Sequence, residues 1–128
     1  MKSMMIMIAG PYRSGTGDDL EKIGANLKIL EAAALEVWNL GHIPIIGEWV
    51  ALPLIQKSGS KVMGDKIWNS IGYPAADRLL EHCDGVLRLP GTSKGADGDV
   101  VQALLHGLSV FTELSQIPRG TPRKGRDL

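Results

Sequence analysis

The sequence has one cysteine, one phenylalanine and two tyrosines, no excess charge of either sign and no long apolar run. Each shortage excludes something. Cys83 alone closes no intrachain disulfide, and with His42, His82 and His106 it forms no metal-ligand or triad spacing, so no metal is expected and a reduced, cytoplasmic setting fits. The 14 Lys and Arg balance 14 Asp and Glu, which leaves no global field to draw the chain to a nucleic-acid polymer or an anionic membrane. The apolar run Met4–Ala9 is ended by Gly10-Pro11, and no segment approaches the ~20 apolar residues of a membrane span. Basic residues crowd only at the end, where Arg119, Arg123, Lys124 and Arg126 alternate with Pro118, Gly120, Pro122 and Gly125. Residues 118–128 therefore read as a solvated, disordered tail behind one domain over residues 1–117.

What is present is a regular alternation of apolar runs and helical periods. Met4–Ala9 has the continuous apolar character of a strand buried on both faces. Asp18–Leu40 carries apolar residues at 20, 23, 27, 30, 34, 37 and 38, a helical period that places Trp38 in the core, and Gly41 stops it. Ile43–Ile46 is a second strand, put at an edge by Pro44. Glu48–Gln56 reads as a helix interrupted at Pro53, and Lys57–Gly64 as a mobile loop. Pro74 suits the first turn of a helix running to His82. Val86–Leu89 is the third strand, Asp99–His106 a helix and Leu108–Leu114 the fourth strand. The order predicts an α/β, Rossmann-like open parallel sheet of four to five strands flanked by helices. Ligands bind such sheets at the carboxyl ends of strands, at the topological switch point. The loops Gly10–Gly17 and Pro90–Gly98 have that address.

The second loop is the more informative. Pro90-Gly91-Thr92-Ser93-Lys94-Gly95-Ala96-Asp97-Gly98-Asp99 lies between a strand end and a helix start, where small residues leave backbone N–H groups beside the positive end of the helix dipole. Such a turn is a ready phosphate site, and Asp99 brings a carboxylate next to it. Asp99 with Gln102 also fits a capping box, in which the carboxylate only caps the helix; Asp97 could equally be the cap, leaving Asp99 to face the cleft. The two diverge by about 200° on a helix and cannot both face one substrate atom. In the first loop Gly10 and Gly15 have Walker spacing, but Thr16 stands where the lysine should be, and no GxGxxG is present, so neither nucleotide hydrolysis nor a dinucleotide cofactor is expected. Tyr12 and Arg13 remain there as partners for a base, sugar or phosphate, unless they merely cover the sheet edge.

Taken together, Met5–Arg13, Gly41-His42-Ile43-Pro44, Cys83–Gly91 and Ser93–Asp99, followed by Ala103 and Gly107, resemble the nucleoside 2-deoxyribosyltransferase-like superfamily, which includes 2′-deoxynucleoside 5′-monophosphate N-glycosidases. The resemblance spans residues 5 to about 113. It implies that Asp99 occupies the position of a glutamate that attacks the anomeric carbon, one methylene shorter here. It implies phosphate binding by Ser93 and Gly95 and by the first loop, with Gly10, Tyr12 and Arg13. A second acid, which helps protonate the leaving base, matches Asp77 most nearly, although the spacing puts that position at Ala76. Relatives of this kind are commonly dimers or larger, so a homodimer or higher homo-oligomer is expected, burying part of the apolar stretch 48–70.

The chain is thus expected to cleave or exchange the base of (deoxy)nucleoside 5′-monophosphates, with a small-molecule nucleotide or nucleoside as its partner and no cofactor. Two rivals stand beside this reading. One is a nucleotide-binding protein without catalysis, in which Asp99 is only a cap. The other is a phosphoribohydrolase of the type that frees cytokinin bases, suggested by Pro90-Gly91 and Gly95 although the Pro-Gly-Gly-x-Gly-Thr signature is not intact.

Overall fold

Four parallel strands lie in the order β2-β1-β3-β4 in the computed structural model, which describes residues 1–121. The central strand β1 (Met5–Ala9) pairs with β2 (Ile43–Ile46) on one side and β3 (Gly85–Arg88) on the other, and β4 (Ser109–Phe111) closes the far edge beside β3. The apolar run of β1 divides by alternation. Ile6 and Ile8 face the core under the first helix, while Met7 and Ala9 face Leu80, Cys83, Ala96 and Ala103 on the opposite side. Pro44 sits opposite Ile6 in β2, which is an edge strand as its missing N–H requires.

Helix α1 (Leu20–Asn39) is capped by Asp19 and buries Ile23, Leu30, Ala34 and Val37 against the sheet. That stripe leaves Trp38 a hundred degrees away from Val37 on the helix, and the indole is 61% exposed, not in the core as its period suggested. Helix α2 (Gly47–Lys57) follows β2 directly and continues through Pro53, while α3 (Lys66–Leu80) continues through Pro74. Both prolines correct the sequence reading, and the reason is the same. Each lies on an exposed helix face, where the carbonyl one turn back that loses its donor can bond water. Helix α3 starts at the Asp65 cap, whose carboxylate accepts from the Trp68 amide at 2.8 Å. Helix α4 (Lys94–Leu105) begins well before Asp99, and its end is set by His106 and by Gly107 at φ 71°.

The segment between α2 and α3 is organised by one side chain. The Asp65 carboxylate also accepts from the Ser60 hydroxyl at 2.9 Å and from the amides of Lys61 and Val62. Below the sheet, the His42 ring accepts from the Met4 amide through Nδ1 at 3.0 Å, so Nε2 carries the proton and donates to the Pro118 carbonyl. The Gly120 amide donates to Leu40 at 2.8 Å, and Gly120 is buried against Gly41. Residues 118–121 of the expected tail therefore lie on the domain; Arg123, Lys124 and Arg126 lie outside the described residues. Among the described residues no helix is long and apolar enough to cross a membrane.

Candidate active site

The strand order reverses between β1 and β3, and a cavity of about 200 Å³ opens at their carboxyl ends. Its walls come from four places: Tyr12, Arg13 and Ser14 after β1; Gly47, Glu48 and Ala51 at the start of α2; Trp68, Asn69, Tyr73 and Ala76 on α3; and Ser93, Gly95, Ala96 and Asp99 on α4.

The loop after β1 is held from within. The Thr16 hydroxyl donates to the Arg13 carbonyl and accepts from the Asp18 amide, Asp18 adopting a left-handed φ of 61°. Asn26 donates to the Tyr12 carbonyl at 2.9 Å. Arg13 is thereby set in place: Nε and Nη2 bond the two Asp18 oxygens at 2.9 and 3.0 Å, and the guanidinium lies 5.4 Å from the centre of the Trp68 ring. This pairing raises the Arg13 pKa and lowers that of Asp18, the hydrogen bond between them being the first cause in each. Nη1 makes no bond within the described residues, and the guanidinium lies at the cavity wall. Tyr12 is pushed up first by burial and then by the charge of Glu48.

On the other wall, Ser93 is the N-cap of α4, its Oγ accepting from the Ala96 amide at 3.1 Å. That bond uses an oxygen lone pair and leaves the hydroxyl proton to donate. Asp97 is turned outward, where Arg88 bonds it at 2.8 Å. Asp99 consequently sits in the second helical turn and faces the cavity. Its carboxyl is pushed up to about 7, chiefly by burial, then by the charges of Glu48 and Asp77, with Arg88 acting in the opposite sense. Asp99 does not cap α4, because Ser93 does.

Of the residues singled out in the sequence, Tyr12, Arg13, Ser93, Gly95 and Asp99 meet at this cavity; Gly10 and Asp77 do not. Gly10 is required for packing. A Cβ there would lie 3.0 Å from Leu30 Cδ2 and 3.2 Å from Leu89 Cβ, so the glycine lets α1 and the end of β3 close over the loop. Asp77 is exposed on α3, and the neighbouring Ala76 takes the inward position. Glu48 escaped notice in the sequence. It stands in the first turn of a helix that starts immediately at a parallel strand's carboxyl end, Ile46-Gly47-Glu48, and that juxtaposition is the signal that could have found it. Burial pushes its carboxyl up as well. Among the described residues no cluster of three or more His, Cys, Asp or Glu side chains could hold a metal ion.

No family model matches the chain, and no curated protein matches it. Among solved structures it is similar to the 2-deoxyribosyltransferase of the psychrotolerant bacterium Bacillus psychrosaccharolyticus, a biocatalyst for the synthesis of antiviral and antitumoral nucleosides. The match has a TM-score of 0.56 and 16% identity over 83% of this chain and 69% of that one. At that identity the likeness shows the fold, an open parallel α/β sheet flanked by helices, as the order of elements in the sequence predicts.

Proposed function

We propose that this protein breaks the N-glycosidic bond of (deoxy)nucleoside 5′-monophosphates, releasing the base or exchanging it for another, with Asp99 as the carboxylate beneath the anomeric carbon. The observation that carries the reading is the placement of Asp99. It is free of any capping duty and enclosed in the cavity at the switch point, among Tyr12, Glu48 and Ser93. Among the described residues its carboxylate makes no hydrogen bond or ion pair, and partial burial disfavours its charge.

Loss of the base builds positive charge on the sugar, and an apposed carboxylate stabilises that charge or captures the carbon as a glycosyl-enzyme. Water then completes hydrolysis, whereas a second base completes transfer. The α4 N-terminus, with the Ser93 hydroxyl and the Gly95 amide, offers donors to a 5′-phosphate, and Arg13 Nη1 supplies charge from across the cavity. Phosphate binding there is remote from the reacting carbon and positions it.

Incubation of the purified protein with ribo- and deoxyribonucleoside monophosphates, read as free base, tests the proposal. Release from at least one of them is expected, falling by orders of magnitude in Asp99→Asn. Asp99→Glu, which restores the longer side chain implied by the resemblance, is expected to keep or raise the rate. Base release by Asp99→Asn as fast as by the wild type would remove Asp99 from the mechanism.

A further inference from the structure

We infer that Glu48 donates the proton required by the leaving base, so that the reaction proposed above, on which this inference rests, runs on a Glu48–Asp99 carboxyl pair and not on Asp77. Protonating the base needs an acid inside the cavity. Asp77 is exposed, and the inward position of α3 beside it is Ala76, whose methyl carries no proton. The titratable or charged groups lining the cavity are Tyr12 and Arg13 from the β1 loop, Glu48 from α2, Tyr73 from α3 and Asp99 from α4; Asp77 and Arg88 act on Asp99 from farther off. Arg13 is engaged with Asp18, and phenols are weak acids near neutrality. Glu48 is therefore the one carboxyl besides Asp99 among the described residues of the wall.

Two carboxyls lining one partly apolar cavity resist ionising together. Burial raises both, and the Glu48 charge raises Asp99 further. It is the charge on Glu48 that raises Asp99, so the productive form, with Asp99 ionised and Glu48 protonated, is reached by passing the proton from Asp99 to Glu48. An Asp99 oxygen bonds the anomeric carbon as the carbon–nitrogen bond breaks. The electron pair of that bond goes to the base, where a ring nitrogen takes the Glu48 proton. Glu48, now a carboxylate, then takes a proton from water, or from the N–H of an incoming base, as that nucleophile attacks the anomeric carbon and releases Asp99. The pair ends as it began.

The test compares Glu48→Gln with the wild type in single turnovers, with enzyme in excess so that only the base-releasing step is read, on two leaving groups: a purine (deoxy)nucleoside monophosphate and its N7-methylated form, whose cationic base departs as a neutral molecule without a proton. Base release from the unmodified nucleotide is expected to fall ~10²–10⁴-fold, the usual contribution of a positioned acid. Release from the methylated nucleotide is expected to stay within severalfold of the wild type, which also shows that the variant is folded. Equal losses on both substrates, or no loss on either, would overturn the role of Glu48 and leave the Asp99 reading intact, provided Asp99→Asn is inactive on both. No release by the wild type from either nucleotide would overturn both readings together.

Discussion

Arg88 and Asp97 are joined by a 2.8 Å ion pair that turns Asp97 away from the cavity and leaves the inward side of α4 to Asp99. The same guanidinium bonds the carbonyls of Leu89 and Gly91, so it also fixes the loop between β3 and α4. The Asp97 side chain is 71% exposed and that of Arg88 15%, which predicts unequal effects. Asp97→Asn is expected to cost less than about 1 kcal/mol in urea unfolding, as exposed pairs do, with base release unchanged. Arg88→Met, which also frees two loop carbonyls, is expected to cost about 1–3 kcal/mol. It also removes the charge that lowers the Asp99 pKa, so the acidic limb of the rate profile moves to higher pH. Equal stability losses in the two variants would mean that the loop clamp contributes nothing.

Ser93 has one duty in the fold and a second under the proposed function, and one substitution separates them. As N-cap it accepts from Ala96, and Ser93→Ala is expected to cost ~1 kcal/mol of stability on that account. As the proposed phosphate donor it would contribute one hydrogen bond to a charged group, about 1.5–3 kcal/mol, so monophosphate binding is expected to fall roughly tenfold to a hundredfold. Binding of the unphosphorylated nucleoside stays near its wild-type value. Calorimetry on both ligands decides, and equal losses would leave Ser93 as a cap alone.

Asp65 orders the segment between α2 and α3. Its carboxyl is held below the ordinary aspartate range first by the Trp68 amide, then by Ser60, Val62 and Lys61. A depressed folded pKa stabilises above the unfolded value and is lost as pH falls through the folded one. Asp65→Ala is expected to release the segment between α2 and α3, so that trypsin cuts after Lys61 severalfold faster than in the wild type at pH 8. An unchanged cleavage rate would show that other contacts order this segment.

The sheet was legible because buried parallel strands write themselves as apolar runs, as Met5–Ala9 does throughout and Gly85–Leu87 does before Arg88. The helix starts were less so. Pro74 has the chemistry of a first turn but lies inside α3, where an exposed face tolerates it. Ser93-Lys94-Gly95-Ala96-Asp97-Gly98 has the composition of a loop, yet one hydroxyl cap starts a helix there. Five candidate site residues converge because both loops sit at strand ends of the switch point. Glu48 was hidden because an acidic residue in a helix's first turn has an ordinary use there, favouring the dipole, and only the packing of α3 and α4 around it makes that position a cavity wall.

Self-association is expected through side chains that the fold leaves outward. Within the stretch 48–70, Ala51 and Ile55 are buried inside the chain, while Trp49, Leu54 and Val62 are exposed. Apolar surface of this kind is commonly covered by a second copy. Light scattering at micromolar protein is expected to give a mass above the 13.8 kDa of one chain, lowered by Leu54→Glu. A wild-type monomer would rule the association out.

Asp99 makes the chain less stable than it need be, and the sign follows from its carboxyl being pushed up to about 7 by burial and by Glu48. Between the unfolded aspartate value near 3.9 and the folded value, the folded state binds the extra proton, so stability falls as pH rises through that window. At pH 3, below both values, the side chain is protonated in the folded and the unfolded state and Asp99→Asn changes little. At pH 8 the wild type carries the buried charge that asparagine lacks, and the variant is expected to be the more stable, by an amount on the order of 1–4 kcal/mol for a shift of this size. Urea unfolding of both proteins at the two pH values measures the difference directly. A variant that is less stable at pH 8 would mean that the carboxylate makes a favourable contact in the fold, and the cavity would then have to be read as a structural site. A variant that is more stable and releases no base would be the signature of a group retained for chemistry at the expense of the fold.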